Sequence, residues 1–163
     1  MDCIYKWITK VLNLRLESIA DKLILVNQTA FMKERDIMNG IMALHEILHE
    51  TKRKEDVGIV LKLDFEKTYD KVCCDFLFDC LKMRGFCEKW CSWIKQVVSG
   101  GTVSVKLNNQ MCPYFRSYKG VRQGDPLSPL LYVLTSDLLQ SMVNHARSQN
   151  LLSLPIPLQY SDD

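Results

Sequence analysis

The 163-residue sequence lacks long apolar runs and a strong excess of charge of either sign. No stretch approaches the roughly 18 to 20 apolar residues that a membrane span requires. Asp2, Lys6, Lys10 and Arg15 interrupt the apolar residues near the start, so the uninterrupted core of a signal peptide is also missing. The net charge of +2 by itself neither indicates nor excludes binding to nucleic acid. We expect a soluble intracellular protein, with nucleus and cytoplasm left open.

A cysteine framework is missing as well. The seven cysteines are an odd number without a repeated Cys-x-x-Cys spacing, which favours reduced thiols over disulfides. Cys73, Cys80 and Cys87 are seven residues apart, a spacing typical of one helical face. We interpret them as buried small apolar residues rather than as a zinc site. With 47% hydrophobic and 25% charged residues, the composition is that of one globular domain with a core.

Apolar residues at three- and four-residue steps predict five helices. The predicted helices cover residues 4–23, about 37 to the charged run at 51–56, 75–84, 88–98 and about 128–148. Gly85 is suited to end the third helix. Ser128 is expected to cap the last helix, and Pro129 to occupy its first position. A strand pair is predicted at Thr102–Leu107 and Tyr114–Tyr118, with Asn108-Asn109 at the bend.

Gly58–Phe65 is the clearest predicted strand. Its alternation places one apolar face, formed by Ile59, Leu61, Leu63 and Phe65, opposite a polar face formed by Lys62, Asp64 and Glu66. Asp64 is therefore expected to be a carboxylate near the end of an apolar strand, pointing away from the core. A metal ligand anchored on a rigid element would occupy such a position.

A second carboxylate group follows Tyr160 and Ser161 at the end of the sequence. Asp162 and Asp163 are adjacent, and like charges this close raise one another's pKa unless a cation lies between them. If their strand neighbours that of Asp64, the carboxylates converge as two-metal phosphoryl transfer requires. Regular alternation would put Asp162 on the same face as Tyr160, which makes Asp162 the safer ligand of the two.

The second helix contains a pattern that favours a different enzyme class. His45-Glu46-Ile47-Leu48-His49 matches the His-Glu-x-x-His arrangement in which two histidines bind zinc and the glutamate serves as base. A working site needs a third protein ligand, and the only other histidine is the distant His145. We interpret the helix as an ordinary surface helix and keep a zinc peptidase as an alternative.

Four segments together resemble the motifs of a known family. Residues 62–72, 120–129 and 160–163 resemble, in this order, three core motifs of reverse transcriptases, and residues 28–35 resemble the family's upstream fingers motif. The similarity is closest to the non-LTR, LINE-type retrotransposons abundant in plant genomes. It implies RNA-directed DNA synthesis with an RNA template, a DNA primer and deoxynucleoside triphosphates as partners. Membrane association is not implied, and the oligomeric state stays open.

The resemblance also implies roles for individual residues. Asp64, Asp162 and Asp163 would be the catalytic, metal-binding triad for Mg²⁺, with Mn²⁺ as an alternative. The other implied residues belong to the nucleotide-binding site. The Phe65 carbonyl would be an extra metal ligand, and Tyr69 would lie under the sugar. Lys33 and Arg35 would contact the triphosphate, and Gln123 and Gly124 would surround the nascent base pair. Glu34 departs from the family pattern, because the family usually has glycine at this position.

The implied fold is α+β, a partial right-hand polymerase whose antiparallel palm sheet packs on helices. Residues 1–163 would form a partial reverse transcriptase domain, with about 1–56 resembling fingers, 57–79 and 121–163 palm, and 80–120 a fingers insertion. Because the sequence stops at Tyr-Ser-Asp-Asp, the thumb is expected to be absent and the isolated chain to be inactive. The alternative within this family is a non-catalytic nucleic-acid-binding remnant.

Overall fold

The computed structural model describes residues 3–153. The elements are α1 Cys3–Leu23, α2 Ile37–Arg53, α3 Cys74–Met83, α4 Glu88–Ser99, β1 Thr102–Val103, β2 Lys106–Leu107, β3 Gln110–Met111, β4 Phe115–Arg116 and α5 Ser128–Ser148. All five predicted helices are confirmed, and the mixture of helices with small antiparallel sheets is an α+β fold. None of the helices in this part of the chain is long and apolar enough to cross a membrane.

Helix α5 lies at the centre of the hydrophobic core. It packs against α1 and α3, and α3 in turn packs against α4. Leu131, Val133 and Leu134 of α5 are at most 1% exposed, as are Leu77 in α3 and Ile94 in α4. Burial on several sides of one helix indicates that α5 is the element on which the other core helices assemble.

Helix α1 turns only one of its apolar stripes toward this core. Thr9, Leu12, Leu16 and Ala20, spaced by three or four residues, are buried, whereas Trp7 is 74% exposed. The predicted apolar face is therefore only partly a core face. Helix α2 contributes even less to the core than α1. None of its residues is buried, and seven of its large apolar side chains are exposed.

Local signals set some helix ends as expected and others not. Gly85, with φ of 81°, forms the predicted end of α3: its N–H bonds to the Lys82 carbonyl, and that of Phe86 to the Leu81 carbonyl. The prediction that Ser128 caps α5 is wrong. The N-cap is Leu127, whose N–H donates to Asp125 Oδ1 at 2.9 Å, because an aspartate readily closes a turn onto the backbone two residues ahead.

The predicted strand pair is confirmed as a short hairpin. β1 pairs with β4 and β2 with β3, both antiparallel. Asn108 and Asn109 have φ values of 47° and 64°, as a two-residue turn of the type favoured in hairpins requires at both central positions. Asparagine tolerates this left-handed conformation better than most residues, so the bend is encoded locally.

The strand predicted at Gly58–Phe65 is not formed. Residues 56–65 have no regular secondary structure, and Ile59 and Leu61 are 95% and 76% exposed. A strand is stabilised by hydrogen bonds to a neighbouring strand, and within residues 3–153 no strand pairs with this segment. Its predicted neighbour, which carries Asp162 and Asp163, lies outside the described residues. Alternation alone does not supply a partner.

The cysteine prediction is wrong for two of its three residues. Cys73 and Cys87 are exposed and immediately precede α3 and α4, whereas Cys80 is buried inside α3. Their spacing of seven residues therefore spans two helices rather than one helical face. All seven thiols are free, as expected. The buried thiols of Cys74, Cys80 and Cys91 have their pKa values raised by burial, which keeps them protonated and unreactive.

Candidate nucleotide-binding site

Two of the recognised segments meet through their backbones. The N–H of Gly120 donates to the Val72 carbonyl and that of Val121 to the Tyr69 carbonyl, each at 2.8 Å. Cys73 and Lys119 form an antiparallel bridge beside them. The turn at 66–72, which we call the carboxylate turn, is thereby joined to residues 119–124, which we call the glycine loop. Neither segment is part of a helix or an extended sheet, so these contacts set their relative position.

Gly120 is the point of closest approach between the two segments. Its φ is +87°, a conformation that side-chain-bearing residues rarely adopt. A Cβ at this position would lie 2.8 Å from the Asp70 carbonyl oxygen and 2.9 Å from its Cα. These distances are well inside normal van der Waals contact, so the close approach requires glycine on both conformational and steric grounds.

Gln123 and Gly124 follow in the same loop and remain exposed. Gln123 Nε2 donates to Asp70 Oδ1 at 3.1 Å, which adds a side-chain contact to the backbone contacts. Gly124 also has a positive φ, +77°, but no atom lies within 4 Å of where its Cβ would be. This open space beside the backbone would let a ligand approach closely.

Tyr69 connects the carboxylate turn to α5. Its ring packs against that of Tyr132, with ring centroids 5.5 Å apart and ring planes inclined by 39°. Both rings are partly buried, and burial raises the pKa of each phenol. The Tyr69 ring is therefore positioned by the hydrophobic core rather than by the loop alone.

Asp64 lies at the edge of an apolar groove of about 590 Å³. The groove is also lined by Phe65, Glu66 and Lys71 and, from α5, by Tyr132 and Leu139. The Asp64 carboxylate is exposed and forms no ion pair with any residue in the range 3–153. Asp162 and Asp163, the other predicted ligands, lie outside the described residues, so the predicted triad stays a prediction.

The described residues hold no other candidate metal site. No group of three or more histidine, cysteine, aspartate or glutamate side chains is placed to bind a metal ion within residues 3–153. His45 and His49 are both exposed on α2. The part of the chain that the structure describes thus provides no third ligand for the zinc alternative.

Lys33 and Arg35 differ in how they are placed. Lys33 is exposed, whereas the side chain of Arg35 is only 16% exposed. The Arg35 guanidinium donates to the Leu25 carbonyl at 2.7 Å, to the Gln28 carbonyl at 2.8 Å and to Asp21 Oδ1 at 2.9 Å. Arg35 therefore holds together the loop that follows α1. Nη2 also donates to the Ile24 carbonyl at 3.4 Å, so the predicted triphosphate contact would have to use the remaining donor, Nε–H.

Glu34 adopts the left-handed conformation, with φ of 66°. This conformation gives a physical reason for the glycine that the family usually has at this position, because glycine adopts it without the steric cost that a Cβ brings. The backbone thus keeps a conformation suited to glycine although a glutamate occupies the position.

A contact between α1 and the glycine loop was missed from the sequence. The Arg122 guanidinium lies 4.5 Å from the centroid of the Tyr5 ring, and Tyr5 Oη donates to the Val97 carbonyl at 2.8 Å. Burial raises the pKa of Tyr5 to about 12, although the positive charge of Arg122 opposes this shift. Arg122 also fills the space beside Gly101, where a Cβ would lie 1.6 Å from Nη2. No local pattern links positions so distant in sequence.

A buried ion pair was missed for the same reason. Arg84 Nη2 lies 2.7 Å from Asp137 Oδ2, and the two side chains are 18% and 4% exposed. Arg84 Nη1 also donates to the Leu134 carbonyl, and Asp137 Oδ1 accepts the N–H of Leu25. The pair therefore joins the end of α3, the middle of α5 and the loop after α1.

Comparison with known proteins identifies the family. The family model described as "Reverse transcriptase (RNA-dependent DNA polymerase)" matches residues 1–163. The chain is 30% identical over 130 residues to the uncharacterized 149 kDa protein of transposon TX1 from Xenopus laevis, which is 80% of this chain and 10% of that protein. It is 30% identical over 80 residues, 49% of this chain, to the retrovirus-related Pol polyprotein from the type-2 retrotransposable element R2DM of Drosophila melanogaster, of which the match covers 8%.

A third relative is the corresponding polyprotein from the type-1 retrotransposable element R2 of Nasonia vitripennis, 26% identical over 110 residues, which are 68% of this chain and 11% of that protein. The chain thus spans about a tenth of the length of these relatives. It belongs to the reverse transcriptase family, as a domain of the non-LTR, LINE type.

Proposed function

We propose that this chain forms the nucleotide-binding part of an RNA-directed DNA polymerase, which adds deoxynucleotides to a primer 3′ hydroxyl on an RNA template. The contact between the carboxylate turn and the glycine loop supports this proposal most directly. These two segments carry Tyr69, Gln123 and Gly124, to which the family resemblance gives nucleotide-binding roles, and Asp64, with its catalytic role, lies two residues before the carboxylate turn. We further propose that residues 1–56 and 80–120 correspond to fingers, and 57–79 and 121–163 to palm.

Asp64 fits the role of a ligand for Mg²⁺, or alternatively Mn²⁺. Its carboxylate is exposed at the groove edge and forms no ion pair with another described residue, and hard carboxylate oxygens suit either cation. With Asp162 and Asp163 it would complete the proposed metal site. Bound cations would supply charge stabilisation for nucleotidyl transfer between the primer hydroxyl and the leaving pyrophosphate.

The remaining residues would bind and orient the nucleotide. Tyr69, held by Tyr132, would lie under the sugar, where an aromatic ring excludes a ribose 2′ hydroxyl. Lys33, exposed and positively charged, would contact the triphosphate, together with Nε–H of Arg35, the donor that the loop contacts do not use. Gln123 and Gly124 would border the base of the incoming nucleotide.

We expect negligible synthesis by the 163-residue chain on its own. Asp64 lies in an exposed segment without a strand partner among the described residues, and catalytic ligands must be held within about 0.5 Å of their working positions. Primer extension on an RNA template with Mg²⁺ or Mn²⁺ measures this, with Asp64→Asn as the matched control. Asp64-dependent synthesis by the chain would contradict the expected inactivity while supporting the function.

Binding measurements separate the remaining alternatives. The polymerase proposal expects a deoxynucleoside triphosphate to bind in the presence of Mg²⁺ and a primer–template hybrid, with affinity lost in Asp64→Asn. Measurable binding of the hybrid without Asp64-dependent Mg²⁺ or nucleotide binding would favour the non-catalytic module. Stoichiometric zinc that is lost in His45→Ala would favour the peptidase, and circular dichroism with a melting curve shows whether each variant is folded.

A further inference from the structure

Asp70 contacts the glycine loop in two ways that the family roles given above do not use. Its backbone carbonyl and Cα lie under Gly120 at distances that only glycine permits, and its side chain accepts a hydrogen bond from Gln123. The adjacent backbone bonds, from Gly120 to Val72 and from Val121 to Tyr69, keep the two segments in register around it. Asp70 is thus the residue around which the glycine loop is positioned.

The chemistry of this side-chain contact determines which end of the Gln123 amide faces Asp70. An ionised carboxylate only accepts hydrogen bonds, whereas a glutamine amide has a donating NH₂ end and an accepting oxygen end. Only the Nε2 end can therefore bond to Asp70 Oδ1, which it does at 3.1 Å. The Oε1 end is turned away from Asp70 and stays available as an acceptor, together with the second N–H as a donor.

Asp70 is free to act on Gln123 because the neighbouring cation is engaged elsewhere. Lys71 Nζ lies 2.7 Å from Glu66 Oε2, within the carboxylate turn. Asp70 forms no ion pair with another residue of the range 3–153. Asp70 and Gln123 both line a second groove, of about 770 Å³, which Lys119 and Arg122 also border. The oriented amide therefore lies at a cavity large enough for a nucleotide base.

We propose that Asp70 is a positioning residue, which fixes the Gln123 amide so that its oxygen and one N–H are presented to the incoming nucleotide. This inference rests on the proposed function, because it takes a deoxynucleoside triphosphate as the ligand that Gln123 meets. Asp70 does not touch the nucleotide in this arrangement. An asparagine at position 70 removes the constraint, since its amide both donates and accepts and so permits either orientation of Gln123.

The first test observes the Gln123 side-chain amide of the 163-residue chain directly by nuclear magnetic resonance. We expect the ¹⁵N and ¹H resonances of the Gln123 side-chain amide to move in Asp70→Asn. The matched control is Asp79→Asn, which changes an exposed aspartate on α3 and should leave these resonances in place. Gln123 resonances that are unmoved in Asp70→Asn would overturn the inference, whatever the chain binds.

The second test asks whether Asp70 acts through Gln123. The dissociation constant of a deoxynucleoside triphosphate with Mg²⁺ and a primer–template hybrid is measured in the four proteins of a double-mutant cycle, with Asp70→Asn and Gln123→Ala. We expect Asp70→Asn to weaken binding about three- to tenfold when Gln123 is present, which corresponds to one exposed hydrogen bond. In Gln123→Ala, the same change should have almost no effect.

Equal losses in both backgrounds would show a merely structural role and overturn the inference. Melting curves of the four proteins identify any loss that comes from unfolding. If the unsubstituted chain binds no nucleotide, the proposed function fails for this chain and the nucleotide half of the inference fails with it. The amide resonances then still decide whether Asp70 orients Gln123.

Discussion

Gly120→Ala is expected to destabilise the chain much more than Gly124→Ala, although both glycines have a positive φ. At either position alanine meets the cost of the left-handed conformation, roughly 1–2 kcal/mol. At Gly120 the new Cβ also lies 2.8 Å from the Asp70 carbonyl oxygen and 2.9 Å from its Cα, both of them backbone atoms that cannot rotate away. Overlap of this kind typically costs a further 1–3 kcal/mol or so.

The chain has one other way to relieve the overlap, and it has a similar cost. The glycine loop could move away from the carboxylate turn, but this would break the hydrogen bonds from Gly120 to Val72 and from Val121 to Tyr69. At about 1 kcal/mol each, their loss is comparable with the overlap itself. We therefore expect Gly120→Ala to lower the free energy of unfolding by about 2–5 kcal/mol, and Gly124→Ala by only about 1–2 kcal/mol.

Urea denaturation followed by far-ultraviolet circular dichroism measures both losses. The comparison is well matched, because each variant adds one methyl group and changes the unfolded chain in the same way. Equal losses for the two variants would refute the reasoning, since they would show that the backbone of Asp70 does not constrain position 120. A large loss confined to Gly124→Ala would refute it as well.

Four further predictions concern the conformation, the contacts or the burial of individual residues. Glu34→Gly should raise the free energy of unfolding by about 0.5–1 kcal/mol in urea denaturation, whereas Glu34→Ala, which keeps a Cβ in the left-handed conformation, should not. Arg84→Met should lower it by about 3–5 kcal/mol because Asp137 is left buried without its cation, and adding Asp137→Leu should recover part of this loss. The pKa of tyrosine is near 10 in the unfolded chain, but that of Tyr5 in the folded chain is raised to about 12. Unfolding between pH 10 and 12 therefore releases a proton, and the free energy of unfolding falls over this range. Tyr5→Phe should lack this part of the decrease in denaturation at stepwise pH, while Tyr118→Phe, at an exposed ring, should behave like the original chain. Under native conditions a thiol reagent should modify the exposed Cys3, Cys73 and Cys87 quickly and the buried Cys74, Cys80 and Cys91 only at the rate of unfolding; fast modification of all seven would contradict the burial.

The helices could be predicted from the sequence because their signals are local. The apolar period of three to four residues and Gly85 at the end of α3 each act within a few residues. The hairpin bend is local in the same way, because it depends on two neighbouring asparagines. The prediction of a strand at 58–65 was wrong because a strand also needs hydrogen bonds to a neighbouring strand, which a local pattern does not supply. Alternation showed only that the segment is compatible with a strand.

The site shows the same division between local and distant information. Tyr69, Gln123 and Gly124 were identified through a family resemblance, and the two segments that carry them do meet. The contacts of Gly120 with Asp70 and of Arg122 with Tyr5, which position the glycine loop, were not foreseen, and neither was the ion pair of Arg84 with Asp137 between the helices. Each of these contacts joins distant positions by shape or charge. No periodicity reports such pairings.

Within the described residues, the proposed nucleotide-binding residues are held in place by more contacts than the proposed metal ligand Asp64. Gln123 and Tyr69 are tied to the core, through backbone bonds between the two segments and through Tyr132 on α5. Asp64, only five residues before Tyr69, lies in a segment whose apolar side chains are exposed and whose backbone has no strand partner among residues 3–153. Substitutions at Gly120 or Asp70 should therefore change the placement of Gln123 and Tyr69 while leaving that of Asp64 unchanged, because none of the contacts around Gly120 and Asp70 includes Asp64.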